Sequence, residues 1–179
     1  VDAFGKRAEY IRDGLDFNYM MDNVEEFLER IPGRNSITFI CTYNNLSITS
    51  MDKLLEKILE LRKRYSKTYQ RVWFDVPLLR QPAWQQITML PEAYQGIHEA
   101  NIEYMQANSG ESNGLHIFKD FEIQKMQRNL AYWRENADAS TQNKKNFYAF
   151  FNEHDRRRLT RFLNTFPEME DFWEECKNA

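Results

Sequence analysis

The pattern that most limits the fold of this chain is a pair of short apolar segments separated by an amphipathic one. Residues 36–43 and 71–79 are rich in β-branched and aromatic side chains, as is typical of buried strands. Between them, Leu54, Leu55 and Ile58 recur at helical spacing. A helix between two strands is the crossover that parallel pairing needs, because a tight hairpin cannot join parallel strands. The sequence therefore predicts an α/β fold with a mainly parallel sheet covered by helices.

A further helix precedes the first strand segment. Its apolar pattern begins at Tyr19, Asn18 is the predicted N-cap, and Pro32-Gly33 ends it. Within the second strand segment, Pro77 predicts a bulge, a frayed end or an edge position. Residues 1–4 resemble the tail of another strand, so we expect the chain to be a fragment of a longer protein.

The second half of the chain has a different character. Apolar residues recur at helical spacing over 91–108 and again over 118–135. We therefore divide the chain into an α/β unit, residues 1–90, and a mainly helical C-terminal extension, residues 91–179. The polar, glycine-bearing segment 108–114 is the best candidate for an internal linker.

Composition and charge exclude several classes of protein. Cys41 and Cys176 lie far apart and outside any C-x-x-C pattern, which excludes a disulfide framework and a self-contained thiolate site for zinc or iron. We interpret this as a protein of a reducing compartment, the cytoplasm. No apolar run approaches the roughly 18 residues that span a bilayer, so we expect no membrane association. The net charge of −3 makes nucleic acid an unexpected partner.

Polar side chains follow the predicted strand ends. Ligands of parallel α/β folds bind beyond the carboxyl ends of the strands. By that rule Asp2, residues 42–44 and residues 75–80 would surround one site. Arg12 follows the first strand end closely, and its forked cation suits a carboxylate. The alternative for each of these residues is a turn cap or a surface ion pair.

The histidines carry little signal for catalysis. His98, next to Glu99, is predicted on a solvated helix face. His154 and Asp155 are adjacent in a helical pattern, so their side chains should diverge rather than form an oriented base.

The densest basic patch is Arg156, Arg157 and Arg158, followed by Arg161. Such a patch can hold a phosphate, a carboxylate or an acidic peptide. Pairing within the chain is the favoured interpretation, because five acidic residues follow the patch: Glu168, Glu170, Asp171, Glu174 and Glu175.

Segments from both halves resemble one enzyme family. Val1-Asp2-Ala3-Phe4-Gly5, followed by Arg12-Asp13-Gly14, resembles the fourth strand and next loop of radical S-adenosylmethionine enzymes with twitch or SPASM auxiliary domains. That branch has Ser-x-Asp-Gly or Ser-x-Asp-Ala at the strand end and Arg-x-Gly in the loop. Leu90-Pro91-Glu92, residues 151–158 and Thr165-Phe166-Pro167-Glu168 are similar to the twitch-type subgroup.

The resemblance implies that residues 1–90 form the late βα units of a partial (β/α)6 TIM-like barrel. It implies S-adenosylmethionine as a cofactor together with a 4Fe–4S cluster, whose C-x-x-x-C-x-x-C ligand motif is not in this sequence. The missing N-terminal half of the barrel would supply that motif. Enzymes of this family generate a 5′-deoxyadenosyl radical that takes hydrogen from a substrate, and peptides or proteins are common substrates in this branch.

The resemblance also assigns candidate binding residues. Arg12 matches the arginine that contacts the cofactor carboxylate, for which a charge-assisted pair is the physical reason. Thr42 and Asn44, at the next strand end, are further candidates for contact with the cofactor or the substrate. It assigns no catalytic residue and no metal ligand within this sequence.

Two other classes of protein stay open. One is a non-catalytic α/β binding module that grips an acidic partner through the strand-end loops and the arginines of 156–161. The other is a complete small hydrolase, against which the missing nucleophile and base arrangement speaks. A partial barrel predicts an unpaired sheet edge with bare apolar surface, whereas a self-contained fold predicts a closed one.

Overall fold

The computed structural model describes residues 1–110, 114–138 and 140–179. These residues form two short strands, β1 (Ile37–Ile40) and β2 (Val72–Asp75), and are otherwise mainly helical. The mixed α/β class is thereby confirmed. The helices, in chain order, are α1 (Lys6–Ile11), α2 (Phe17–Arg30), α3 (Met51–Tyr65), α4 (Gln95–Ala107), α5 (Asp120–Glu135), α6 (Thr141–Arg158), α7 (Phe162–Thr165) and α8 (Glu170–Lys177).

The two strands pair in parallel, and α3 is the crossover between them. Ile40 aligns with Asp75 at the carboxyl ends of the strands. The next rung would need an N–H from Pro77, which proline lacks, so the ladder stops there. It resumes as a single bridge between Tyr43 and Leu78. The predicted disturbance at Pro77 is confirmed. Among the described residues the sheet has two strands, so the partial barrel stays a proposal.

The two faces of the sheet differ in burial. Phe39 and Phe74 are aligned partners on one face, and both lie in the core with the apolar residues of α3. Thr38 and Ile40 point to the opposite face, where Thr38 is exposed and Ile40 is 51% exposed. One face of β1 is therefore covered and the other is bare.

The two edges of the sheet differ as well. At the outer edge of β2, the N–H of Phe74 donates to Glu122 Oε1 at 3.2 Å, and Arg62 Nε donates to the carbonyl of Val72 at 3.0 Å. At the outer edge of β1, the carbonyl of Ile40 accepts from the amino group of Val1 at 2.9 Å. No other backbone group of the described residues pairs with that edge. Side chains therefore cover the outer edge of β2, whereas most of the outer edge of β1 is open.

The opening residues differ from the prediction. Residues 1–4 form no strand, although Val1 lies beside Ile40 and Asp2 beside Thr42, so they run parallel to the end of β1. The chain then turns at Gly5, whose φ of 59° favours glycine, into the unpredicted helix α1. A six-residue helix is too short to show a clear apolar period.

The predicted helices are present with shifted ends. α2 begins at Phe17 because the carboxylate of Asp16, not Asn18, accepts from the N–H of Tyr19 at 2.9 Å. α4 begins at Gln95, four residues later than predicted. The predicted linker 108–114 falls partly on residues 111–113, which lie outside the described residues.

Buried residues from both halves of the chain form one hydrophobic cluster. Arg62 of α3 forms a buried ion pair with Glu122 of α5, and Tyr10 of α1 donates to Asp155 of α6 at 2.8 Å. The division at residue 90 thus separates two sequence patterns that share one core.

Candidate functional site

Asp2 is the centre of a polar cluster at the carboxyl end of β1. Its side chain is buried, and one carboxylate oxygen accepts a hydrogen bond from the N–H of Thr42 at 3.2 Å. The other oxygen accepts from Arg12 Nε at 2.6 Å. The backbone just after β1 therefore orients the carboxylate, and the carboxylate orients the guanidinium group. The structure brings Asp2, Arg12 and Thr42 together at the predicted strand end.

The ion pair with Asp2 holds Arg12 in place but leaves part of its guanidinium group available. The residue forms the C-cap of α1, and its side chain is 55% exposed. Within the described residues only its Nε makes a hydrogen bond, so its terminal nitrogens are open to a ligand. The hydrogen bond that Arg12 donates to Asp2 raises the pKa of the guanidinium group, which stays charged at any physiological pH. A fixed, exposed, permanently charged fork is suited to a carboxylate.

Cys41, next to this cluster, is chemically inert. Its side chain is fully buried and forms no disulfide. Burial raises the pKa of the Cys41 thiol to about 12, and the negative charge of Asp2 adds to the effect. At neutral pH the thiol stays protonated, and only a thiolate is a good nucleophile or metal ligand. Burial likewise raises the pKa of Cys176 in α8 to about 12.

Asn44 is turned into the loop after β1. Its Nδ2 donates to the carbonyl of Thr42 at 3.0 Å, and its Oδ1 accepts from the N–H of Leu46 at 2.9 Å. The side chain is buried and both of its polar atoms are engaged. Asn44 therefore shapes the turn that holds Thr42, and its predicted contact with a cofactor stays a prediction.

The carboxyl end of β2 carries a second pair of charges. Asp75 accepts from the N–H of Val76 at 2.8 Å and forms an ion pair with Lys125 of α5. Both side chains are about one-third exposed. Arg80, in the following loop, stacks its guanidinium group 4.1 Å from the ring centre of Tyr132. Sequence reasoning missed Lys125, because no local pattern links it to a strand end fifty residues earlier.

The prediction that His98 lies on a solvated helix face is wrong. The side chain is 0% exposed, with Nε2 2.9 Å from the carbonyl oxygen of Met126 and Nδ1 2.6 Å from the hydroxyl of Tyr43. A carbonyl only accepts, so Nε2 carries the proton and Nδ1 accepts from Tyr43. Burial lowers the pKa of His98, which is neutral in the fold. It links α4, α5 and the loop after β1.

His154 behaves as predicted with respect to its neighbour. Its Nδ1 lies 3.7 Å from Asp155 Oδ1, which is too far for a hydrogen bond. The side chain instead contacts the backbone carbonyl of Tyr10 through Nε2 at 3.0 Å. It therefore contributes to the packing of α6 against α1.

The arginine run is paired within the chain, but with partners other than those predicted. Glu153 accepts from Arg156 at 2.7 Å and from Arg157 at 2.6 Å, because helical spacing places it one turn before both. Arg158 forms an ion pair with Asp13 at 3.0 Å. The acidic residues near the C-terminus pair elsewhere: Glu168 with Arg7, Glu175 with Lys144 and Glu174 with Lys177.

Within residues 1–110, 114–138 and 140–179, no group of three or more His, Cys, Asp or Glu side chains could hold a metal ion. In the same residues, no helix is both long and apolar enough to cross a membrane. No family model, curated protein or solved structure matches the chain.

Proposed function

We propose that this chain forms the late βα units of a partial (β/α)6 barrel in a radical S-adenosylmethionine enzyme, and that Arg12 binds the carboxylate of the cofactor. One observation carries the proposal: the open edge of β1 lies directly beside the Asp2–Arg12 pair. An unpaired edge next to a preorganised binding group is what a barrel interrupted between two strands would leave.

The open edge fits a further parallel strand. The outward N–H and C=O groups of Thr38 have no partner among the described residues, and Ile40 is 51% exposed. Long-lived unpaired strand edges promote aggregation, so native proteins normally cover them. Val1 already lies parallel to β1 and bonds to Ile40, so a strand leading into Val1 would continue that pairing.

The cluster at the strand end fits the cofactor carboxylate. The carboxyl ends of barrel strands face one side, where ligands bind. Asp2 and Thr42 lie at that end and fix Arg12, whose terminal nitrogens are free within the described residues. Arg12 would hold the carboxylate by a charge-assisted, bidentate pair. When bound, the cofactor supplies the radical chemistry, while this chain orients it and closes one side of the pocket.

The described residues do not fit the iron–sulfur cluster. They contain no group of metal ligands, and Cys41 is a buried thiol whose pKa is about 12. In this proposal the three thiolates belong to polypeptide outside the present sequence. A C-x-x-x-C-x-x-C motif encoded within about 150 residues upstream of Val1, the usual size of a domain, is the expected finding. If that stretch lacks the motif, the binding-module interpretation replaces the enzyme.

Substitution of Arg12 in the full-length protein tests the binding role. Arg12→Ala is expected to weaken S-adenosylmethionine binding by roughly 10- to 100-fold, since a hydrogen bond to a charged group contributes about 1.5 to 3 kcal/mol. Isothermal titration calorimetry measures the affinity, and the visible absorbance of the cluster should not change. Arg30→Ala is the matched control, because Arg30 is exposed on α2 and pairs only with Glu26 among the described residues.

The two variants separate a specific contact from a general loss of charge. Equal affinities of Arg12→Ala and the unmodified protein would remove Arg12 from the site. Equal weakening by Arg12→Ala and Arg30→Ala would show that only net charge matters.

A further inference from the structure

A second cleft lies between α1, the start of α3, the end of α6 and α7. Its volume is about 500 Å³. Its charged lining consists of Lys6, Arg7, Lys53 and Arg158 with one carboxylate, Glu9. Four positive groups and one negative group give a formal charge of +3, in a chain whose net charge is −3. The cleft is therefore a local concentration of positive charge.

Hydrogen bonds to backbone carbonyls fix the two arginines in the wall of this cleft. Arg7 donates to the carbonyl of Thr49. Arg158 donates to the carbonyls of Tyr10 at 2.7 Å and Glu9 at 3.1 Å. Carbonyl acceptors hold a guanidinium group without cancelling its charge. The two cations are thus preorganised, which reduces the entropy that a ligand would lose on binding.

Carboxylates outside the lining lie close to the positive groups of this cleft. Glu168 pairs with Arg7 at 2.9 Å and Asp13 with Arg158 at 3.0 Å, and neither lines the cleft. The carboxylate of Asp155 also lies against the wall, where it accepts from the hydroxyls of Tyr10 and Thr160. With Glu9, these three carboxylates balance the four positive groups in number. The side chain of Asp13 is 84% exposed, so water and salt screen its effect.

Lys53 is a cation without a partner. Its side chain is exposed, and no described residue accepts a hydrogen bond from it or pairs with it. It lies in the first turn of the 15-residue helix α3, where the helix dipole disfavours positive charge. Lys57, one turn later, has Glu25 at 2.9 Å and Glu60 at 3.1 Å. An anion in the cleft would give Lys53 the partner that Lys57 already has.

We propose that this cleft binds a phosphate group, carried by a small ester or present as the free ion, and that Lys53 contacts it directly. A phosphate monoester carries about −1.5 to −2 charges on three oxygens, which matches several cations better than a singly charged carboxylate does. Ser50, Asn164 and Thr165 in the lining add neutral polar groups. Arg12 does not line this cleft, so the proposal stands or falls separately from the cofactor site.

Calorimetric titration with inorganic phosphate, O-phospho-L-serine and L-serine at constant ionic strength tests the proposal. Both phosphates are expected to saturate the protein, and serine is expected not to bind. Tighter binding of phosphoserine would identify an ester as the occupant, and equal or tighter binding of phosphate would identify the free ion. If neither phosphate saturates the protein at concentrations up to about 10 mM, the affinity is too weak for a specific site, and the proposal is overturned.

A pair of lysine variants localises the binding. Lys53→Gln should weaken phosphate binding about tenfold, the loss of one charge-assisted contact. Lys63→Gln removes the same charge from the exposed last turn of the same helix and should change the affinity less than about twofold. Equal weakening by both variants would show non-specific attraction and refute the assigned site. Both lysines are exposed, and circular dichroism checks that each variant folds.

Discussion

Replacing Glu122 by glutamine is expected to destabilise the protein by about 3 to 5 kcal/mol, the usual effect of breaking a buried ion pair. Glu122 of α5 and Arg62 of α3 are both 0% exposed and lie 2.5 Å apart. Glu122 also accepts from the N–H groups of Phe74 at 3.2 Å and Lys119 at 2.9 Å. This carboxylate therefore joins two helices to the edge of β2.

The size of this destabilisation follows from the buried charge and the mismatched hydrogen bonds that Glu122→Gln would create. One carboxylate oxygen becomes an NH2 group, which faces donors from Arg62 and from the backbone instead of accepting from them. The positive charge of Arg62 then stays buried with no counterion, although the carbonyls of Val72 and Ile117 still accept hydrogen bonds from it. Removing a charge partner from a dry interior is far more damaging than removing one at the surface.

Urea unfolding followed by circular dichroism measures the effect. With a slope of about 2.5 kcal/mol per M, the midpoint should fall by roughly 1 to 2 M. Glu99→Gln is the matched control, since Glu99 pairs with Arg134 at the surface, where both side chains are about half exposed. That pair should contribute less than about 1 kcal/mol.

The reasoning is refuted if Glu122→Gln shifts the midpoint no more than Glu99→Gln does. A second check is the double variant Arg62→Met with Glu122→Gln. It should be less destabilised than the sum of the single variants, because the uncompensated charge is gone.

Two further predictions concern single residues. Leu159→Gly is expected to raise the free energy of unfolding by about 1 kcal/mol in urea titrations, because Leu159 has a left-handed φ of 54° and is 93% exposed. Leu159→Ala keeps the Cβ and should give no such gain. Burial lowers the pKa of His98 in the folded protein, whereas a histidine in the unfolded chain has a pKa of about 6.5. Below that pH the unfolded chain therefore binds more protons at this residue than the folded protein does. Stability should therefore decrease from pH 7 to pH 5, and less so in His98→Gln; identical pH profiles would contradict this assignment.

The structure gives the Asp155 to Arg158 segment a structural role. The carboxylate of Asp155 accepts from the hydroxyls of Tyr10 and Thr160, both at 2.8 Å, and from the N–H of Phe162 at 2.6 Å. Arg158 bonds to the carbonyls of α1 from the same turn. The segment thus fastens α1 to the junction of α6 and α7, and so supports the helix whose C-cap is Arg12.

Features that depend on local pattern could be predicted from the amino-acid sequence. Alternating and helical spacings locate β1, α3 and β2, and the missing N–H of Pro77 accounts for the break in the ladder. The cluster of Asp2 and Arg12 was also accessible, since the two residues lie only ten positions apart in the sequence. Helix ends shifted by a few residues because neighbouring capping groups compete, as Asp16 does with Asn18.

Which polar groups meet across long sequence separations depends on how the helices and strands pack. Nothing near His98 indicates that it packs against Tyr43, and nothing near Glu122 indicates Arg62. Helix packing removes these groups from water, and a buried polar group must then find a partner among whatever the fold places beside it. Periodicity reports which face of an element is apolar; the identity of each buried partner depends on how the elements come together.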